Sequence, residues 1–362
     1  MRARVLVIGG GPAGSTAARI LSQSGVETVL LERDLSFVKP CGGGIPSGAL
    51  EELGIPRGVV KMEVRRVKLV SPSERVAEVN LEDGFIGIVE RGQFDSCLRD
   101  MAKASGARLM EGSFGGFLEA GRQVVSEVMK DGKPQTIKSD YVIAADGINS
   151  RALASLGLRP PETFYTLTAK VEAASADSCE FWLGSSHAPG FYSWVFPRPE
   201  GMTVGTGGLE GSKVRGYLES FIRKRRVPPN GPVRGYRIPL WGQPLFSIGR
   251  ILFAGDAAGQ VMPMSFEGIY YAMSSARYAA EAVIKDSPAR YEKLWRGKFF
   301  RKYFLMKKLW SYFFKDDPSM EELVSLCMRP VVQEAFIRLL LDKRIGKGGM
   351  LSFFNIFRRF LR

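Results

Sequence analysis

The chain has 362 residues, 45% of them hydrophobic, and carries 51 Lys/Arg against 37 Asp/Glu for a net charge of +14. That length accommodates two joined domains with a full core, and no run approaches the ~18 apolar residues of a membrane-spanning helix. One histidine, His187, excludes a histidine-rich metal site, and four scattered cysteines (Cys41, Cys97, Cys179, Cys327) without a CxxC pair argue against a disulfide frame or structural zinc.

The first predicted element is a strand at Arg4–Ile8 that runs through Gly9-Gly10-Gly11-Pro12-Ala13-Gly14 into a helix. This order marks a βαβ unit that seats a dinucleotide's pyrophosphate on a helix N-terminus. Gly9 permits the turn, Gly11 lets backbone approach the phosphates, and Gly14 lets helix pack on strand. The basic start Met1–Arg4 before an apolar run imitates a secretory signal, but the glycine turn explains that run better. A second strand, Thr28–Leu31, ends in Glu32, 18 residues past Gly14, where such units bind an adenosine ribose. The alternative is a glycine-rich turn in some other α/β protein.

A loop, Lys39-Pro40-Cys41-Gly42-Gly43-Gly44-Ile45, precedes a strand within Glu63–Val70. Tyr141–Ala145 reads as a buried strand ending in Asp146-Gly147. Strands at Thr163–Val171, Phe191–Phe196 and Thr203–Gly208 have the β-branched and aromatic content of a mixed or antiparallel sheet. On the second of these, Tyr192, Trp194 and Phe196 share one face, and Phe191, Ser193 and Val195 the other. Three aromatics in a row line an apolar tunnel or fill the core between sheet and helices; the pattern allows both. Gly205-Thr206-Gly207-Gly208 lacks a following helix and acid, so it is no second nucleotide unit. Ile251–Ala254 repeats the theme of strand then acid with Gly255-Asp256, although one such carboxylate commonly just caps a turn.

Residues 291–362 read as mostly helical, with 16 Lys/Arg against 7 Asp/Glu. Trp295, Phe299, Tyr303, Met306, Trp310 and Phe313 recur at helical spacing beside Lys298, Arg301, Lys302, Lys307 and Lys308. Met350–Arg362 repeats the design, with Phe354, Phe357 and Leu361 against Arg358, Arg359 and Arg362. Such stripes either lie on an anionic bilayer or pack inward beneath a solvated basic face. Nucleic-acid binding fits the charge but finds no recognition motif.

The glycine turn, Asp146-Gly147 and Gly255-Asp256, in this order, resemble the FAD-dependent reductases and hydroxylases related to glutathione reductase and the aromatic-ring hydroxylases. The resemblance implies an α/β fold: a Rossmann-like FAD-binding domain, an antiparallel or mixed β-sheet substrate domain and a helical C-terminal region. It assigns the ADP half of FAD to Gly9, Gly11, Pro12, Ala13, Gly14, Glu32 and Arg33, the pyrophosphate region to Asp146 and Gly147, and the ribityl chain to Asp256. Gly255, Gly268, Ile269 and the loop residues Cys41 and Gly42 complete the expected cofactor contacts. Arg91 matches an arginine that reaches toward FAD; otherwise it is a surface residue starting a helix. The expected pieces are 1–58, 87–157 and 246–290 for FAD, 59–86 and 158–245 for the sheet domain, and 291–362 for the basic helical region.

The Cys41 loop together with Pro189-Gly190-Phe191-Tyr192-Ser193-Trp194-Val195-Phe196-Pro197 resembles the geranylgeranyl reductase family over residues 1–290. The resemblance implies FAD-dependent saturation of prenyl C=C bonds, with isoprenoid lipids as substrate and Tyr192, Trp194 and Phe196 lining their site. Cys41 then serves as the acid that protonates one alkene carbon, or simply as a small side chain in a tight loop. Phe266 departs from the family, whose members often carry glycine beside the flavin at that point. The expected partners are NAD(P)H or a ferredoxin as electron donor and an anionic membrane surface, at the cytoplasmic face of which the protein would sit peripherally. A flavin monooxygenase or halogenase on the same scaffold is the second reading, and a non-catalytic flavin-stabilised membrane- or RNA-binding protein the third.

Overall fold

The computed structural model describes residues 1–172, 174–227, 231–341 and 357. The chain divides into two compact units: 1–38, 92–162 and 238–303 form one, and 39–91, 163–237 and 304–362 the other. Residues 39–58, with the Cys41 loop, therefore group with the sheet unit rather than with the glycine turn. The cause is local pairing: Gly44–Pro46 joins Ile86–Val89 antiparallel, and Val60–Val64 pairs on that strand's other edge.

In the first unit the sheet order is Ser247–Ile248, Ile251–Phe253, Lys133–Ala144, Arg2–Ile8, Thr28–Glu32, Arg108–Glu111. From Ile251–Phe253 onward each neighbouring pair in that order is parallel. Parallel strands need crossovers that cover the sheet, and helices Pro12–Gln23 and Arg91–Ala104 supply two. Pro12 opens the first of these, where its missing N–H costs nothing. Ala13, Ala17 and Ala18 are buried on it, and this helix packs closely on Ile269–Ile284, itself rich in buried Ala and Ser. Strands Ser113–Ala120 and Val124–Lys130 extend the sheet antiparallel onto Lys133–Ala144. The two-residue turn at Asp131 and Gly132 has φ of 51° and 72°, the left-handed pair that a tight hairpin requires.

The second unit holds a mixed sheet in the order Arg234–Pro239, Thr163–Val171, Met202–Gly208, Ser193–Pro197, Cys179–Trp182, Arg66–Val70, Val76–Asn80. Cys179–Trp182 and Arg66–Val70 run parallel, whereas the strands flanking them pair antiparallel. Ser193 and Val195 are fully buried on the face covered by helix Val214–Arg225, where Val195, Val204, Ala169 and Phe221 share a core. Trp194 and Phe196 project to the opposite face, as the alternation predicts.

The aromatic stripe beyond Tyr291 turns inward. In the first unit Trp295, Phe299 and Tyr303 are buried, with Trp295 and Tyr303 rings 4.9 Å apart. In the second, Met306 and Phe313 are buried, and Trp310 Nε1 donates to Gly190 O at 2.8 Å. Trp295, Phe299, Tyr303, Met306 and Phe313 are core, so the bilayer-facing alternative fails for them, and the half-buried Trp310 is tied down by its indole hydrogen bond. Of the stripe expected at Met350–Arg362, only Phe357 is described, and it is buried; Phe354, Leu361, Arg358, Arg359 and Arg362 lie outside the described residues. Among the described residues, no helix is long and apolar enough to cross a membrane.

Candidate active site

In the first unit the carboxyl ends of four adjacent strands form one row, because Phe253 is level with Ala144, Ala144 with Ile8, and Ile8 with Leu31. The residues that follow these strand ends are Gly255-Asp256, Asp146-Gly147, Gly9–Gly11 and Glu32. Sequence positions up to about 250 apart thus converge on the edge where open α/β sheets bind ligands.

The glycine turn is shaped by close contacts. Gly9 has φ of +99°, and a Cβ there would lie 2.4 Å from Ala145 O. A Cβ at Gly14 would lie 1.8 Å from Gly9 O, so turn and helix touch backbone to backbone. At Gly11 a Cβ would meet nothing within 4 Å. Gly11 is the N-cap of Pro12–Gln23 and provides no side-chain cap. A helix start without a cap, facing open space, fits a pyrophosphate.

Glu32 does more than wait for a ribose. Its Oε2 accepts from Gly10 N at 2.6 Å and its Oε1 from Asp34 N at 3.1 Å, which braces the turn. Arg33 is exposed. Sequence reading missed Arg99, which is buried and donates to Gly10 O at 3.4 Å and Leu35 O at 3.2 Å. Arg91, by contrast, starts its helix but is buried, so the surface alternative does not hold.

Asp146 caps: its Oδ2 accepts from Ala152 N at 3.1 Å, while Ser150 Oγ accepts from Leu153 N at 3.0 Å. Asp146 Oδ1 is buried with no hydrogen-bond partner among the described residues. Burial pushes this carboxyl's pKa up, against hydrogen bonds from Ser150 and Ala152 that lower it. An acceptor left over beside the glycine turn suits a hydroxyl of a bound dinucleotide. Gly255 is wedged between helices, 3.2 Å from both Ala13 Cβ and Ala272 Cβ if given a Cβ, and its N–H donates to Ser275 Oγ at 3.0 Å. Asp256 is half-buried, and its Oδ1 would be 3.7 Å from a Cβ on Gly268, the N-cap residue of Ile269–Ile284. Phe266, two residues earlier, is buried with φ of +50°, a conformation glycine adopts freely. Together these groups fit FAD.

The second unit carries the Cys41 loop and the aromatic strand. Cys41 is half-buried, and its Sγ accepts from Gly43 N at 3.3 Å. Trp194 is nearly buried, and its ring takes the place of a side chain at Gly205, where a Cβ would lie 2.2 Å from Trp194 Cζ2. Gly205 thus belongs with the aromatic strand, a link that its level pairing with Trp194 makes visible only in the fold. Phe181 joins the same cluster, edge-on to Tyr192 at 5.1 Å and to Phe196 at 5.6 Å.

Comparison with known proteins adds a second line. The family described as FAD binding domain matches residues 2–214. The geranylgeranyl diphosphate reductase of Synechocystis sp. is 32% identical over 376 residues, covering 91% of this chain and 90% of its own. Digeranylgeranylglycerophospholipid reductase of Methanocaldococcus jannaschii is 30% identical and covers 84% of this chain and 84% of its own. A solved geranylgeranyl bacteriochlorophyll reductase-like protein of Thermoplasma acidophilum superposes with a TM-score of 0.86 at 25% identity, over 99% of this chain and 98% of that one. With its FAD-binding domain and relatives of this identity over nearly its whole length, the chain belongs to the geranylgeranyl reductase family of FAD-dependent oxidoreductases acting on C=C bonds.

Proposed function

We propose that this enzyme saturates the prenyl chains of isoprenoid lipids, with Cys41 as the proton donor. The relatives' substrates, named above as geranylgeranyl diphosphate and digeranylgeranylglycerophospholipid, support the chemical class. The observation that carries the residue assignment is the half-buried Cys41 thiol, held by the Gly43 N–H in a glycine loop. Gly9, Gly11, Pro12, Ala13, Gly14, Glu32, Asp146, Gly147, Gly255, Asp256, Gly268 and Ile269 would hold FAD. Bound and reduced, FAD is the source of the hydride.

An isolated trisubstituted alkene has no carbonyl to polarise, so hydride arrival at one carbon needs a proton at the other. Cys41 S–H gives that proton, and the thiolate left behind is reprotonated from solvent. Tyr192 and Trp194 offer ring faces to the positive charge that develops on carbon. Cys41→Ala should keep FAD and accept electrons, yet lose on the order of 100-fold in alkene reduction, read by mass spectrometry of prenyl lipids, where each saturation adds two hydrogens. Near-normal saturation by this variant returns Cys41 to a packing role.

An anionic membrane surface is the proposed meeting place with substrate. Exposed Phe304, with Lys308 Nζ 5.4 Å from its ring centroid, supports it, as does the +14 charge. The proposed donor is NAD(P)H or a ferredoxin, told apart by which of them bleaches the flavin anaerobically.

A further inference from the structure

Phe196 has neighbours more specific than those of a tunnel wall. A Cβ on Gly42 would lie 2.5 Å from Phe196 Cδ2 and 2.8 Å from Cε2, and one on Gly44 would lie 2.9 Å from the same Cε2. One edge of one ring therefore meets both glycines that flank Gly43, at distances no side chain tolerates. From the other direction, a Cβ on Gly43 would lie 2.4 Å from Val89 O, and Gly43 O accepts from Val89 N at 2.9 Å. Gly43 also has φ of +80°, so the loop's central residue is restricted to glycine twice over. The loop is clasped between the strand Ile86–Val89 and the Phe196 ring.

The ring is itself held. Phe181 packs edge-on to it at 5.6 Å, and the backbone of Phe196 pairs level with Thr203. Arg198, two residues on, forms an ion pair with Glu90, the residue after Val89. The two walls of the clasp are thus tied together beside the loop. Gly43 N, the group that donates to Cys41 Sγ, sits in the middle of the clasped segment.

We propose that Phe196 is a positioning residue: its ring fixes the Cys41-Gly42-Gly43-Gly44 loop and thereby the place of the Cys41 thiol. This rests on the reading of Cys41 as proton donor for its catalytic consequence, but the mechanical claim stands on the contacts alone. A leucine at 196 keeps apolar bulk and loses the flat edge against both glycines. A methyl added at Gly42 pushes the same contact from the opposite side.

The test uses FAD-loaded Phe196→Leu, Gly42→Ala and the double variant Phe196→Ala/Gly42→Ala. Two quantities are read: kcat and KM on a prenyl lipid, and the rate at which iodoacetamide alkylates the Cys41 peptide, followed by mass spectrometry. Phe196→Leu and Gly42→Ala should each lower kcat on the order of 10- to 100-fold, as misplacement of a reacting group does, and leave KM within about 2-fold. Both should alter Cys41 alkylation at least about 3-fold while FAD content stays at the wild-type level. The double variant should recover part of the loss, because the added methyl enters space the ring has left. A raised KM with unchanged alkylation makes Phe196 a wall for substrate and overturns the proposal. Altered alkylation in Phe196→Leu alongside an active Cys41→Ala enzyme keeps the positioning role and removes the proton-donor reading instead.

Discussion

His187 shows how far single residues can be resolved once their neighbours are known. Thr206 Oγ1 donates to His187 O at 2.6 Å, and Ser193 Oγ donates to Thr206 Oγ1 at 2.9 Å. Ser193 is then left to accept from His187 Nδ1–H at 2.8 Å, so Nε2 carries the lone pair. Nε2 is buried without a partner among the described residues and faces Gly184, where a Cβ would lie 2.9 Å away. Protonation would place a charge in the interior; burial, helped by Lys224 and only partly offset by Asp317 and the Leu183 backbone, lowers this pKa to about 4. The unfolded chain, with histidine near its ordinary ~6.5, binds more protons between those values. Stability is therefore full above ~6.5 and declines as pH falls toward 4, by about 3 kcal/mol in total. Urea unfolding across that range should show the decline, and His187→Gln should flatten it; an unchanged pH slope in the variant contradicts the assignment. Gly9, Gly11, Gly14 and Glu32 were legible in sequence because one short βαβ unit sets their spacing. Arg99 and the partners of Phe196 were not, since their contacts join stretches of chain that only the fold brings together.

At the scale of elements, the strand Thr163–Val171 has the bounds its pattern predicts, whereas Cys179–Trp182 and Val76–Asn80 went unread. The last of these alternates over only five residues, too short to separate from a loop. The helical stripe from Trp295 was visible, but what covers it was not, because a bilayer and a core select the same face. The fold uses it to brace the loop before Ile269–Ile284. Tyr291 Oη donates to Phe253 O at 2.8 Å, Gln260 Nε2 donates to Tyr291 Oη at 2.9 Å, and Tyr303 Oη donates to Gln260 O at 3.2 Å. Burial raises the pKa of both phenols, which keeps them neutral and able to donate. The chain passes this cluster through a π-helical stretch, Arg296–Phe300, whose wider turn shifts the phase of the stripe. Trp295→Ala should cost about 3–5 kcal/mol in urea unfolding, as expected for a fully buried indole. The same variant should bind vesicles like the wild type; a selective loss of vesicle binding at unchanged stability would put this ring back on the surface.

For the whole molecule, the +14 charge predicts binding to anionic vesicles, much weaker binding to neutral ones, and weakening as salt screens the attraction. Phe304→Ser with Lys307→Gln and Lys308→Gln should reduce that binding and leave the flavin spectrum unchanged, since all three side chains are exposed. Equal partition onto both vesicle types, insensitive to salt, would mean that the charge only solvates the protein. The charge and the basic residues beside the stripe were legible in the sequence; that Arg301, Lys307 and Lys308 are exposed while Lys302 is buried was not.

Each unit is stitched from three separate stretches of chain, and this bears on how the protein is made. The strand Arg2–Ile8 is made well before its sheet neighbour Lys133–Ala144, and that strand in turn waits for Ile251–Phe253. Tyr291, which bonds to Phe253 O, arrives later still. The growing sheet therefore keeps an edge unpaired until Ile251–Phe253 has been made. Closing loops of this length sets a slow, non-local folding step and exposes edges that invite aggregation. Low growth temperature and abundant chaperone would raise the soluble yield of this protein through that interval, with no change to the native state.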